Sequence, residues 1–214
     1  MARRKLGNVL ALAVLATIAE RPCHPYEIAQ TLRGRGKDQS IKINYGSLYT
    51  VVQNLEKHGF IEEVATERDG RRPERTVYGL TAAGRAEMRD WLAELLGTPA
   101  KEYPLFESAL SLVGVLPPDE VVALLEQRLA TLDADLAAKR ASHAELVKSL
   151  PRLFLVECEY ELAILAAEAG WVRGLLDELA DGTLSGLDGW RQFYATGQVP
   201  EEWAALEAEH RPEA

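Results

Sequence analysis

Cysteine is scarce in this chain of 214 residues: Cys23 and Cys158 are the only two. No Cys-x-x-Cys or His-x-x-x-His spacing accompanies them, so the sequence offers no zinc ligand set. Glycine-rich phosphate loops and nucleophile elbows are missing as well. His58 and His143 lie on polar helical stretches without a triad partner, and no acid, base and nucleophile converge. These absences argue against an enzyme and against a metal or other cofactor. No apolar run reaches the roughly 18 residues of a membrane-spanning helix. Met1–Lys5 is basic and precedes an apolar stretch, which imitates a secretory signal, yet no small-x-small cleavage site follows. A cytoplasmic location, away from membranes, is expected.

Positive charge is also short overall, with a net of −9. The deficit is uneven. Residues 1–97 hold 15 Lys and Arg against 12 Asp and Glu, a net of +3, whereas residues 98–214 hold 9 against 21, a net of −12. That asymmetry is expected when only one part of a molecule faces phosphate. An acidic remainder is repelled by a duplex, which helps orient the molecule. The 47% apolar content is ample for the core of one large domain or two small ones.

Within the basic part, residues 44–81 carry the densest information. Asn44 is suited to cap a helix. Leu48, Val51, Val52 and Leu55 recur at i, i+3, i+4 and i+7, the spacing of one buried helical stripe. The opposite face holds Gly46, Thr50, Gln53 and Lys57, flanked by Ser47, Tyr49 and Asn54. Gln and Asn pair with adenine, Ser and Thr bond a base or a phosphate, and Lys adds a cation. Tyr45 and Gly46 stand at the helix start, where backbone amides favour an anion. Gly59 follows as a C′ residue with Phe60 as its hydrophobic partner. The plainer reading is an ordinary solvated helix face; the neighbouring elements weigh against it.

Ile61–Thr66 and Thr76–Leu80 read as strands joined across Asp69-Gly70, a strong turn dipeptide. Arg68, Arg71, Arg72 and Arg75 therefore fall at or beside a hairpin tip, where arginine can fork onto phosphate or enter a minor groove. Upstream, Leu6–Ala19 reads as an apolar first helix ended by Arg21-Pro22, and a second begins at Pro25. Three helices and a two-stranded wing make a winged helix-turn-helix whose third helix enters the groove.

Thr81 is placed to cap Ala82–Leu96, with Met88, Trp91, Leu92 and Leu95 on its apolar side. Leu105–Val115 follows, then a long helix capped by Asp119 and running to about Leu150, with Val122, Leu125, Leu129, Leu132 and Leu136 as its seam. Phe154–Leu179 reads as its antiparallel partner. From Asp181 the chain is Gly-rich and acidic and reads as a loose tail. The expected division is thus 1–97 for DNA binding, 98–180 for helical dimerisation and a possible effector, and 181–214 as tail. The architecture is mainly α, and two recognition helices of a homodimer suit a two-fold, palindromic operator.

Glu157-Cys158-Glu159-Tyr160-Glu161 offers metal-ligating or oxidisable groups, although alternating acids on a helix usually form a solvated face. Trp91, Phe154, Tyr160 and Trp171 are candidates to line an apolar pocket between the dimer helices for a small aromatic or hydrophobic effector, against plain core packing.

Tyr45-Gly46-Ser47-Leu48-Tyr49 leading to Leu55-Glu56-Lys57-His58-Gly59-Phe60-Ile61 resembles the recognition-helix signature of the PadR family of bacterial transcriptional regulators. Tyr26-Glu27-Ile28 is similar to that family's second-helix motif, and Arg75-Thr76-Val77-Tyr78-Gly79-Leu80-Thr81-Ala82-Ala83-Gly84 to its closing strand and helix start. The resemblance covers about residues 6–97, and the later helices look like the C-terminal domain of longer members. It implies a homodimeric repressor that holds a palindromic operator and leaves it when an effector binds. Thr50 stands where the family often has proline, so no operator sequence carries over. A protein-interaction module and a transcriptional activator are the alternatives.

Overall fold

The computed structural model describes residues 7–67, 75–201 and 203–205. Arg68, Arg71 and Arg72 lie outside them. The chain divides into two compact units, Met1–Glu102 and Tyr103–Ala214.

The first unit is built on α1 (Val9–Glu20), whose residues Leu10–Leu15, Thr17 and Ile18 are all buried. The helix starts later than its apolar run suggests. Asn8 takes the N-cap, accepting the Leu10 amide at 3.0 Å, because a side-chain oxygen there satisfies an otherwise orphaned donor. Around α1 pack α2 (Pro25–Gly34), α3 (Tyr45–Lys57) and α4 (Ala82–Gly97). Ile28, Ala29 and Leu32 of α2, Leu48, Val51, Val52 and Leu55 of α3 and Trp91 of α4 close the core. Leu92 and Leu95, expected inside, are about half exposed.

Two antiparallel strands, β1 (Ile61–Glu67) and β2 (Arg75–Leu80), form the wing, running from Ile61 opposite Leu80 to Glu67 opposite Arg75. The register shifts between Glu63 and Ala65, so Val64 is the extra residue of a bulge. A Cβ on Gly79 would stand 2.6 Å from Val64 Cγ1, which is why the bulge faces a glycine. Cys23 exchanges backbone hydrogen bonds with Tyr78 at 3.2 and 3.1 Å, tying the wing to the turn between α1 and α2.

In the second unit a short α5 (Leu105–Leu110) and a 3-10 turn (Val113–Val115) occupy the stretch 105–115. Two long helices follow, α6 (Pro118–Leu146) and α7 (Val156–Asp181). Arg128 pairs with Glu168 and Lys139 with Glu161, so residue numbers rise along one helix as they fall along the other, and the pair is antiparallel. Pro118 occupies the first turn of α6, and Asp119 lies within that turn instead of capping it. Its carboxylate still meets the positive end of the helix dipole.

The residues after Asp181 depart most from expectation. They form α8 (Leu187–Thr196), and Leu187 and Trp190 are buried in one cluster with Val121, Leu125, Leu132, Ala169, Val172 and Leu179. Trp190 Nε1 donates to the Leu116 carbonyl at 3.0 Å and Tyr194 Oη to that of Gly114 at 3.1 Å. The glycines that suggested a loop, Gly182, Gly186 and Gly197, stand at helix ends. Among the described residues no helix is long and apolar enough to cross a membrane.

Candidate nucleic-acid interface

The third helix is fixed at both ends by its own sequence. Asn44 Oδ1 accepts the Ser47 amide at 2.7 Å and also the Ser47 hydroxyl. At the other end Phe60 N–H reaches the Leu55 carbonyl at 2.9 Å and Gly59 N–H that of Glu56 at 2.8 Å. These are the 6→1 and 5→2 bonds of a Schellman motif, with Gly59 at φ 72°. Leu48 and Leu55 are fully buried, so the opposite face is held outward by packing.

On that outward face Gly46, Tyr49, Thr50, Gln53 and Lys57 are exposed, while Ser47 and Asn54 are half-buried. Their hydrogen-bonding capacity differs. The Thr50 hydroxyl donates back to the Gly46 carbonyl at 3.1 Å, leaving it chiefly an acceptor. Tyr49, Gln53 and Lys57 have no side-chain partner among the described residues. Amide, phenol and ammonium are thus unspent on one ridge. Beside them, Gly46, Ser47, Thr50 and Asn54 form one wall of an open groove of about 390 Å³, with Gly7, Asn8 and Ala11 opposite.

The wing is braced against this helix. Tyr78 Oη donates to Glu56 at 3.4 Å, and burial together with that carboxylate pushes the Tyr78 phenol above its usual range. Arg75 opens β2 half-buried, with Nη1 3.3 Å from His24 Nε2. Sequence reasoning did not single out His24 as a functional residue. A signal was available: Glu27 lies three residues after it, and the two form a capping box on α2.

The effector candidates fall in both units. Trp91 is buried in the core of the first unit. Phe154, Tyr160 and Trp171 belong to the second unit and are 65%, 70% and 51% exposed. Tyr160 and Trp171 lie about 16 Å apart along α7 at the helical rise per residue. Trp171 instead meets Phe106 edge-on, and the Arg128 guanidinium lies 3.7 Å over the Phe106 ring.

The acids around Cys158 are engaged as a charged helix surface. Arg152 bonds Glu159 and holds its carboxyl below the usual range, and Lys139 holds Glu161. Among the described residues no three His, Cys, Asp or Glu side chains are grouped to hold a metal ion. Cys23 is 2% exposed, and burial followed by the nearby Glu27 charge raises its thiol pKa. Since the thiolate is the reactive species, a thiol-specific reagent should titrate only the half-exposed Cys158 in the native protein and both thiols after unfolding. Two fast-reacting thiols in the native state would contradict the burial of Cys23.

A polar-faced helix braced to a two-stranded wing defines a winged helix-turn-helix protein. Residues 14–90 match the model of the transcriptional regulator PadR-like family. Solved structures extend the likeness of fold into the helical unit. Bacillus subtilis PadR in complex with operator DNA is 21% identical with a TM-score of 0.67, covering 80% of this chain and 99% of that one. The same protein in complex with p-coumaric acid gives 20% and 0.68, over 81% and 99%. The Vibrio cholerae virulence activator AphA gives 16% and 0.59, over 80% and 98%. No curated protein shows a significant match to the chain.

Proposed function

We propose that this regulator is a cytoplasmic homodimeric repressor that reads a palindromic duplex operator with α3 and is released by a small aromatic or hydrophobic effector. The observation that carries the reading is the row of unspent polar groups, Tyr49, Gln53 and Lys57, on a helix whose other side is locked into the core. Gln53 and Asn54 contact base edges; Ser47, Thr50 and Tyr49 contact a base or phosphate beside them. Tyr45 and Gly46 bring backbone amides to a phosphate, and Lys57, Arg68, Arg71, Arg72 and Arg75 supply the cations.

Support for a homodimer comes from α7, where Val156, Tyr160 and Ile164, four residues apart on one face, are 50–70% exposed. Such a stripe is costly to leave in water and suits a second copy. The effector half of the proposal draws on the p-coumaric acid bound to the Bacillus subtilis protein. An activator role is the second reading, favoured by the likeness in fold to the Vibrio cholerae virulence activator.

Electrophoretic retardation of the DNA upstream of the chain's own gene tests the proposal. The protein should retard it at low salt. The double variant Arg71→Ala/Arg72→Ala should bind every sequence more weakly, its salt slope shallower by about 2 at roughly 0.9 per phosphate contact. If the winged unit served protein contacts instead, no retarded band would form at any salt.

A further inference from the structure

The groove beside the reading ridge has a second bank that the third helix does not supply. Gly7, Asn8 and Ala11, at the start of α1, face Gly46, Ser47, Thr50 and Asn54 of α3 across about 390 Å³. No lining residue is aromatic or charged. That volume falls within the range of small-ligand sites, about 300–1,000 Å³, but such sites are lined chiefly by apolar and aromatic side chains. This groove is open, and its banks are small or polar. A polar strand laid in from solvent suits it better than an aromatic effector.

Glycine stands on each bank without a packing reason. A Cβ at Gly7 would meet nothing within 4 Å among the described residues, and one at Gly46 only Asn44 Oδ1 at 3.8 Å. Neither glycine has a positive φ. A glycine within a helix is destabilising relative to alanine, and one use that offsets this is close approach of a ligand to the backbone. Asn8 and Asn54 lie on opposite banks. Asn8 Oδ1 accepts the Leu10 amide, which leaves its Nδ2 hydrogens as donors, and Asn54 carries a second pair. Residues 1–11 contain no acid and include Arg3, Arg4 and Lys5. Neutral donors on both banks, cations in the preceding sequence and no carboxylate in the lining are the chemistry of a phosphodiester seat.

We propose that the start of α1 and the flank of α3 together hold one strand of the duplex by its sugar–phosphate backbone, so that α1 belongs to the DNA interface. The proposal rests on the reading that α3 meets a duplex. The strand passes between Asn8 and Asn54, alongside the ridge of Tyr49, Gln53 and Lys57. Because the backbone is common to all sequences, this contact positions α3 and adds no base preference.

Gly7→Leu fills the groove from a position where a side chain meets no neighbour, so the melting temperature should stay parental. Affinity is measured by fluorescence anisotropy on the chain's own promoter duplex and on an unrelated duplex of equal length. The expected result is a loss of about tenfold or more on both, with their ratio unchanged. Asn8→Asp keeps the cap of α1, since Asp caps as well as Asn, and replaces the donors by a carboxylate. It should melt at or above the parental temperature and also lose about tenfold on both duplexes. Parental affinity in either folded variant overturns the strand seat. If Gly7→Leu binds DNA as the parent does but no longer answers p-coumaric acid, the groove is an effector pocket instead. Should Gly7→Leu fail to fold, Asn8→Asp decides alone. An unaltered protein that binds neither duplex would sink the DNA reading itself, whereas tight binding by the parent and both variants sinks only the groove.

Discussion

Replacing Gly84 by alanine should lower the melting temperature of the winged unit by roughly 15 °C, from a destabilisation of about 3 kcal/mol. The cause is a backbone contact. A Cβ at this position would stand 1.9 Å from the Phe60 carbonyl oxygen, 2.8 Å from its carbon and 2.9 Å from Leu80 Cδ1. The oxygen cannot simply swing away. It accepts the Thr81 amide at 3.2 Å and lies at the Schellman turn that ends α3. Thr81 in turn caps α4 by accepting the Gly84 amide at 3.0 Å, and its hydroxyl donates to the Gly59 carbonyl at 2.7 Å. The first turn of α4 is thus seated on the last turn of the reading helix, and a methyl group there pries them apart. Differential scanning calorimetry reads the effect. A melting shift of under about 3 °C, corresponding to well below 1 kcal/mol, would mean that α4 approaches α3 less closely than described.

The second large effect is expected in the helical unit. Trp190→Ala removes an indole that is 7% exposed within the cluster of Val121, Leu125, Val172 and Leu187. Truncating a buried aromatic to alanine costs about 3–5 kcal/mol. It also leaves the Leu116 carbonyl without the donor it has at 3.0 Å. Trp190→Phe should keep most of the packing and lose chiefly that hydrogen bond, about 1 kcal/mol. Urea unfolding followed by circular dichroism separates the two variants. Equal, near-parental midpoints for both would show that α8 contributes nothing to the unit.

How much was legible in the sequence follows from how local each signal is. Asn44, the stripe from Leu48 to Leu55 and Gly59 lie within one helix and its caps, and each acts where the residue order places it. Thr81 did the same for α4. The strands were legible from their β-branched runs, but the Val64 bulge depends on which residue faces which across the hairpin. That is pairing information the linear order does not hold. The segment after Asp181 was misread because composition speaks for solvent, whereas its fate is decided by Trp190 meeting Leu116, 74 residues away. The contact His24 makes with the wing was hidden similarly. Its capping box is local, but the encounter with Arg75 spans 51 residues.

The account stands on the outward face of α3 reading bases. Its most direct test is the affinity of Gln53→Ala for the chain's own promoter duplex against an unrelated duplex, at one salt concentration. Gln53 is exposed on the face opposite Leu55 and Val52, so its truncation should leave folding intact. The account predicts a preference of the parent protein for the promoter, and a roughly 5- to 100-fold loss on that duplex when Gln53 is removed, with the unrelated duplex bound as before. Equal binding of the two duplexes by the parent, or a Gln53→Ala variant that discriminates as well as the parent, would contradict it.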